Sequence, residues 1–150
     1  MILKYQEGDL LKLPRTYYLA HCISADFIFS TETAKRINYI CKMRFKLNNR
    51  YGTIPERVRI GKVFLVDNVF NLVTHGRFYN DPSYRSLKCS LYKMKNIIVS
   101  RNISYLAMPY INQLAWDRVE DIIKEVFNDT DIEITVFNAP NKSTKEVVNE

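Results

Sequence analysis

Two hydrophobic periodicities take turns along this chain, one residue pair per repeat and then 3.6 residues per repeat, and that alternation limits the folds open to it. Ile2 to Tyr5 and Tyr17 to Ile23 read as strands, the second a nearly unbroken apolar run suited to a buried central position. Thr33 to about Phe45 carries Ala34, Ile37, Ile40 and Cys41 at helical spacing. Arg50 to Gly61, interrupted by Gly52 and Pro55, reads as irregular. Lys62 to Val66 and Val69 to Thr74 are β-rich runs parted by Asp67-Asn68, which predicts a hairpin. Asp81-Pro82 reads as a helix opening, because an Asp oxygen caps free amides and Pro has no amide to lose at the first helical position. Leu87, Leu91, Met94 and Ile98 carry that helix to about Arg101. Tyr105 to Tyr110 predicts a further strand, Val119, Ile122, Ile123, Val126 and Phe127 a helix from near Trp116, and Ile132 to Phe137 a last strand. Strands interleaved with helices imply an α/β fold, a three-layer α/β/α sandwich whose central mixed sheet has helices on both faces. Residues 1–138 form one domain on this reading, and 139–150 a polar, flexible tail.

With 47% hydrophobic residues among 150, the chain is long and apolar enough to bury a core, which excludes intrinsic disorder for most of it. No run of about eighteen apolar residues is present, and the opening MILKYQEGDL carries charges where a secretory signal has its apolar region. The expectation is a soluble, untargeted chain with no membrane partner. Cys22, Cys41 and Cys89 are odd in number, widely spaced and without a C-x-x-C pair, and His21 and His75 are the only histidines. These predict reduced thiols in a cytoplasmic compartment, no zinc or other metal, and no cofactor.

The net charge of +6 is concentrated between Lys35 and Lys62, where nine Lys and Arg residues face a single acid, Glu56. Tyr39, Phe45 and Tyr51 are interleaved with those bases. Two readings stand side by side. Either the segment is a solvated helix face with its rings turned inward, or Lys42, Arg44, Lys46 and Arg50 neutralise phosphates of a nucleic acid, RNA in particular, while the rings stack on its bases.

In α/β folds ligands sit beyond the carboxyl ends of strands, which directs attention to Gly8-Asp9, Ser24 to Thr33 and Tyr110 to Gln113. The run GDLLKLPRTYYLAHCIS, Gly8 to Ser24, resembles the opening of macro domains of the branch that removes terminal ADP-ribose from proteins. Leu72, Thr74, Pro82, Tyr84, Leu87 and Leu91 match the middle of that branch. Met108-Pro109, Trp116, Val119, Glu125 to Phe127, Thr130 to Ile132 and Ile134 to Val136 match its end. The resemblance runs from about Tyr5 to Phe137, weakly over Ile37 to Gly61, and most of its residues determine the fold.

The resemblance implies that Asp9 accepts a hydrogen bond from an adenine amino group; the Gly-Asp dipeptide equally suits the cap of a turn. It also implies a Gly-Ala-Gly loop whose amides approach a diphosphate, where this chain has Ser30-Thr31-Glu32-Thr33-Ala34. Ser30 and Thr31 either donate hydroxyl hydrogen bonds to a ligand or cap the following helix. The family's catalytic lysine, which attacks the anomeric carbon of the distal ribose, has its place taken by His75. The assisting aspartate belongs to a Gly-rich loop that is about four residues shorter here and reads Ile111-Asn112-Gln113-Leu114.

The expected function is therefore a degenerate, non-catalytic macro-like domain with weak or altered binding of ADP-ribose or another adenine nucleotide. Asp9, Ser24, Ser30, Thr31, Asn112 and Gln113 are the candidate ligand residues. The alternatives are an RNA-binding protein using residues 35–62, or an interaction module on the same scaffold.

Overall fold

The computed structural model describes residues 1–142 and 145–148. A seven-stranded sheet runs in the order β3-β4-β2-β5-β6-β1-β7. Its strands are β1 (Ile2–Gln6), β2 (Tyr17–Ser24), β3 (Val63–Val66), β4 (Val69–His75), β5 (Tyr105–Pro109), β6 (Glu133–Phe137) and β7 (Lys145–Val148). The five inner strands are parallel, and each edge is closed by an antiparallel strand, β3 on β4 and β7 on β1. The sheet is thus mixed, as expected. β7 falls in the segment expected as a polar tail: backbone pairing with β1 orders Lys145–Val148, and hydropathy does not register such pairing.

Alternation within the strands sorts the core into two layers. On one face Ala20, Phe70, Leu72, Leu106, Met108, Ile134 and Val136 meet α4 (Tyr84–Arg101) and α5 (Trp116–Phe127). On the other, Leu19, Ile23, Val69, Val73, Ala107 and Phe137 meet α1 (Glu32–Cys41) and α2 (Met43–Tyr51). α5 alone buries Val119, Ile123, Val126 and Phe127 completely, each contributing roughly 1.5 to 3 kcal/mol. Trp116 at its start donates from Nε1 to the Tyr5 hydroxyl at 2.9 Å, and burial pushes that phenol up to about 12.

Three local expectations are corrected. The helix expected from Thr33 to Phe45 is two helices, because Lys42 adopts the left-handed conformation (φ 53°, ψ 44°) between them. Ile40, still within α1, is 60% exposed, and the new helix after the break buries Met43 and Leu47. The segment read as irregular holds a one-turn helix, α3 (Glu56–Arg59), whose Arg59 guanidinium is buried. Its three nitrogens donate to the carbonyls of Ile54, Ala25 and Gly52, satisfying loop backbone that has no ladder. Finally, α4 is opened by Ser83, whose hydroxyl accepts from the Ser86 amide at 3.1 Å, and not by Asp81-Pro82, which lies before the cap.

Candidate functional site

At the carboxyl ends of β2, β4 and β5 the chain crosses over β2 on its way from β4 through α4 to β5, and a cleft of about 430 Å³ opens there. Ser24, Ser30, Thr31, Asn112 and Gln113 line it, so five of the six expected ligand residues are brought together. His75 lines it as well, as do Phe78 and Tyr79, which form an exposed lip with their rings edge to face at 5.3 Å.

Each wall is held by local chemistry. Ser24, buried at the end of β2, hydrogen-bonds through its hydroxyl to the Asp26 carboxylate. Asp26 also accepts from the amides of Ile28 at 3.1 Å and Phe78 at 3.0 Å, which ties the loop leaving β2 to the loop leaving β4. Partial burial opposes its ionisation. The Ser24 hydroxyl, the two amides and the Arg77 charge outweigh that, and hold the carboxyl below its usual range. Thr31 is the N-cap of α1, accepting from the Ala34 amide at 3.2 Å, so its hydroxyl has the capping role named in the sequence. Asn112 and Gln113 are exposed on the short turn between β5 and α5.

Two histidines differ in state and place. His75, half-buried at the end of β4, has Nδ1 2.9 Å from the Thr74 hydroxyl. Burial lowers its pKa, and the charges of Asp26 and Asp81 only partly oppose this. His21 is 3% exposed in the cleft wall and is lowered to about 4 by burial. Its Nε2 lies 2.7 Å from Asn71 Oδ1, and the Asn71 amide group donates to Phe64 and Val69 carbonyls. Nε2 therefore carries the proton, and Nδ1 is a bare acceptor with no partner among the described residues. Cys22 lines the cleft too, but burial pushes its thiol up to about 12, which removes it as a nucleophile at neutral pH.

Asp9 lies apart from the cleft lining. It caps the 3-10 turn Leu10–Lys12, accepting from the Leu11 amide at 3.0 Å, and both carboxylate oxygens are taken by the Arg36 guanidinium at 3.0 and 2.8 Å. The Arg36 hydrogen bonds and the Leu11 amide hold its carboxyl below the usual range. Of the two readings of Gly-Asp, the turn cap is the one this geometry displays. The turn is fixed by Asn138, which accepts from the Gly8 amide at 3.0 Å and donates to the Gly8 carbonyl at 2.8 Å. Gly8 has φ +135°, a conformation open to glycine at this bend.

The basic segment divides by partner. Arg36 is paired with Asp9, Lys46 with Asp67 at 2.6 Å, and Arg59 is buried on carbonyls, whereas Lys42, Arg44 and Arg50 are exposed with no acidic partner among the described residues. Its rings divide likewise. Tyr51 stacks on Phe64 at 4.3 Å, while Tyr39 and Phe45 are 89% and 69% exposed.

Sequence reasoning missed Arg36, which sits 27 positions from Asp9 and carries no local signal of the pairing. It also missed Asp26, which a short polar residue two positions after a strand would have marked as a turn former. No family model matches the chain. The human ADP-ribose glycohydrolase OARD1 is 32% identical over 145 residues, covering 89% of each chain, and its Bos taurus counterpart matches equally. Among solved structures, the macrodomain of Thermus aquaticus DarG superposes with a TM-score of 0.74 at 18% identity, covering 91% of this chain and 98% of that one. The macrodomain of Mycobacterium tuberculosis DarG gives 0.74 at 19% identity, covering 91% and 97%. Thermosipho africanus DarTG, solved in complex with ADP-ribose, gives 0.69 at 14%, covering 87% of this chain and 40% of that one. Identity of 32% to OARD1 along 89% of the chain, together with the superposition on the DarG macrodomains over 91% of it, leads to one conclusion: the chain belongs to the macro domain family.

Proposed function

We propose that this macro domain binds ADP-ribose or another adenine nucleotide weakly and does not hydrolyse it. The ligand class is supported by the activity named for OARD1 and by the ADP-ribose in the DarTG structure. The absence of catalysis rests on one observation: the side chain at the end of β4 is the imidazole of His75, and no lysine lines the cleft among the described residues. The reaction suggested by the resemblance needs an amine to attack the anomeric carbon and form an adduct. An imidazole kept neutral by burial serves at most as a general base. The weak affinity rests on charge and loop chemistry. Glu32 and Asp81 line the cleft, no described Lys or Arg does, and a side chain stands at every position of Ser30 to Ala34, where glycines would admit a diphosphate. With Cys22, Cys41 and Cys89 all unpaired, a reducing, cytoplasm-like compartment suits it.

The test is hydrolysis of a protein carrying glutamate-linked ADP-ribose. Purified protein is expected to release no more than the no-enzyme rate. Turnover that disappears in His75→Ala would overturn the proposal and make the imidazole catalytic.

A further inference from the structure

The corner between α1 and α2 carries a second surface, remote in chemistry from the cleft. Lys42 leaves the helix in the left-handed conformation, and Asn38 repairs the break by accepting from the Arg44 amide at 2.8 Å. The chain therefore turns within one residue, and Asn38, Lys42, Arg44, Phe45 and Asn48 come to line one shallow, open depression. A phenylalanine 69% exposed beside two unpaired cations has no packing reason to be there, since Met43 and Leu47 already supply the buried side of α2. Tyr39, one position from Asn38, adds a ring that is 89% exposed.

We infer that this corner is a binding surface for single-stranded nucleic acid. Lys42 and Arg44 meet the phosphates, Phe45 and Tyr39 offer faces on which bases stack, and the amides of Asn38 and Asn48 lie beside them as donors to base edges. Charge complementarity names a polyanion, and Arg50, also exposed without an acidic partner among the described residues, adds a third cation on α2. The rings select a polyanion with exposed π-faces. An acidic peptide or an anionic lipid surface satisfies the cations and leaves the rings without a partner, while a duplex hides its base faces in the stack. The surface differs from the ligand cleft in every residue, so its failure and that of the cleft reading are separate outcomes.

The experiment uses the full chain and fluorescence anisotropy of labelled oligonucleotides of about twelve nucleotides, RNA and DNA of one sequence, single-stranded and as duplex. Single strands are expected to bind more tightly than duplex, with affinity falling as salt rises from about 50 mM. The RNA and DNA arms tell which sugar is preferred. Phe45→Ala is expected to lose about tenfold in affinity at an unchanged salt slope, and Phe45→Trp to retain binding, because stacking is insensitive to salt. The double variant Lys42→Asn, Arg44→Gln is expected to flatten the slope by about one to one and a half units, which counts the two phosphates released. All three variants change exposed side chains, and Asn accepts the left-handed conformation at position 42, so their thermal melts should match wild type. Equal affinity for duplex and single strand, wild-type binding by Phe45→Ala, no complex at low salt, or equal competition by phosphatidylserine vesicles or polyglutamate would each overturn the inference.

Discussion

His21 shows what one buried side chain does to a whole domain. It is 3% exposed, it spends Nε2 on Asn71, and burial depresses its pKa from 6.5 to about 4. Between those two values the unfolded chain takes up a proton that the folded chain refuses. Stability therefore rises with pH across that window and is lost as pH falls from about 6.5 towards 4. The full contribution is about 3 kcal/mol, and roughly 2 kcal/mol of it is lost between pH 7 and pH 5. Urea unfolding at both pH values should show this. His21→Gln, which keeps a donor for Asn71, should lower stability at pH 7 and yet lose less of it on going to pH 5. An equal loss in both proteins would mean that His21 is not held neutral.

Between elements, the decisive contact is the ion pair from α1 to the turn after β1. Arg36 takes both oxygens of Asp9, so a ligand that uses Asp9 must first displace a guanidinium. Arg36 is exposed and Asp9 partly so, and such a solvated pair opposes displacement only modestly. Arg36→Ala is expected to tighten adenosine and ADP-ribose binding by about two- to fivefold, and Asp9→Ala to abolish the gain, as measured by titration calorimetry. Unchanged affinity in Arg36→Ala would leave Asp9 with its capping role alone. The same helix illustrates how an element end is chosen. Its apolar spacing continues through Ile40 and Cys41, but the Asn38 side chain offers its oxygen to the next helix and the stripe is broken at Lys42.

For the whole molecule, a net charge of +6 would favour an anionic ligand at long range, yet the cleft is lined by Glu32 and Asp81. Lys42 and Arg44, exposed without an acidic partner among the described residues, lie outside that lining, at the α1–α2 corner. Each charge-assisted hydrogen bond missing from the altered loops weakens a diphosphate site by roughly 1.5 to 3 kcal/mol, so two of them turn micromolar affinity into millimolar. At a few millimolar ADP-ribose such a site contributes under about 1 kcal/mol, which for a chain of this size raises Tm by at most about 2 to 3 °C. Differential scanning fluorimetry checks it. A large shift at micromolar ADP-ribose, lost in Asp9→Ala, would make this chain a competent reader of that ligand.

Alternation of apolar residues by itself determined the strands β1 to β6, the helices α4 and α5 on one face and the hairpin at Asp67-Asn68, because burial of a period-2 or period-3.6 stripe is a local property of sequence. Asp67 even supplies the positive φ that the turn needs. The cleft's rim was legible in the same way: Ser24, Ser30, Thr31, Asn112 and Gln113 follow strand ends, and strand ends in a parallel sheet converge. Only the tertiary structure decided the rest. Lys145–Val148 found an edge at β1, Arg36 claimed Asp9, and Tyr51 turned onto Phe64 while Tyr39 and Phe45 stayed in solvent. The physical reason is common to all three: a partner brought near by folding competes for a group whose neighbours in sequence leave its choice open.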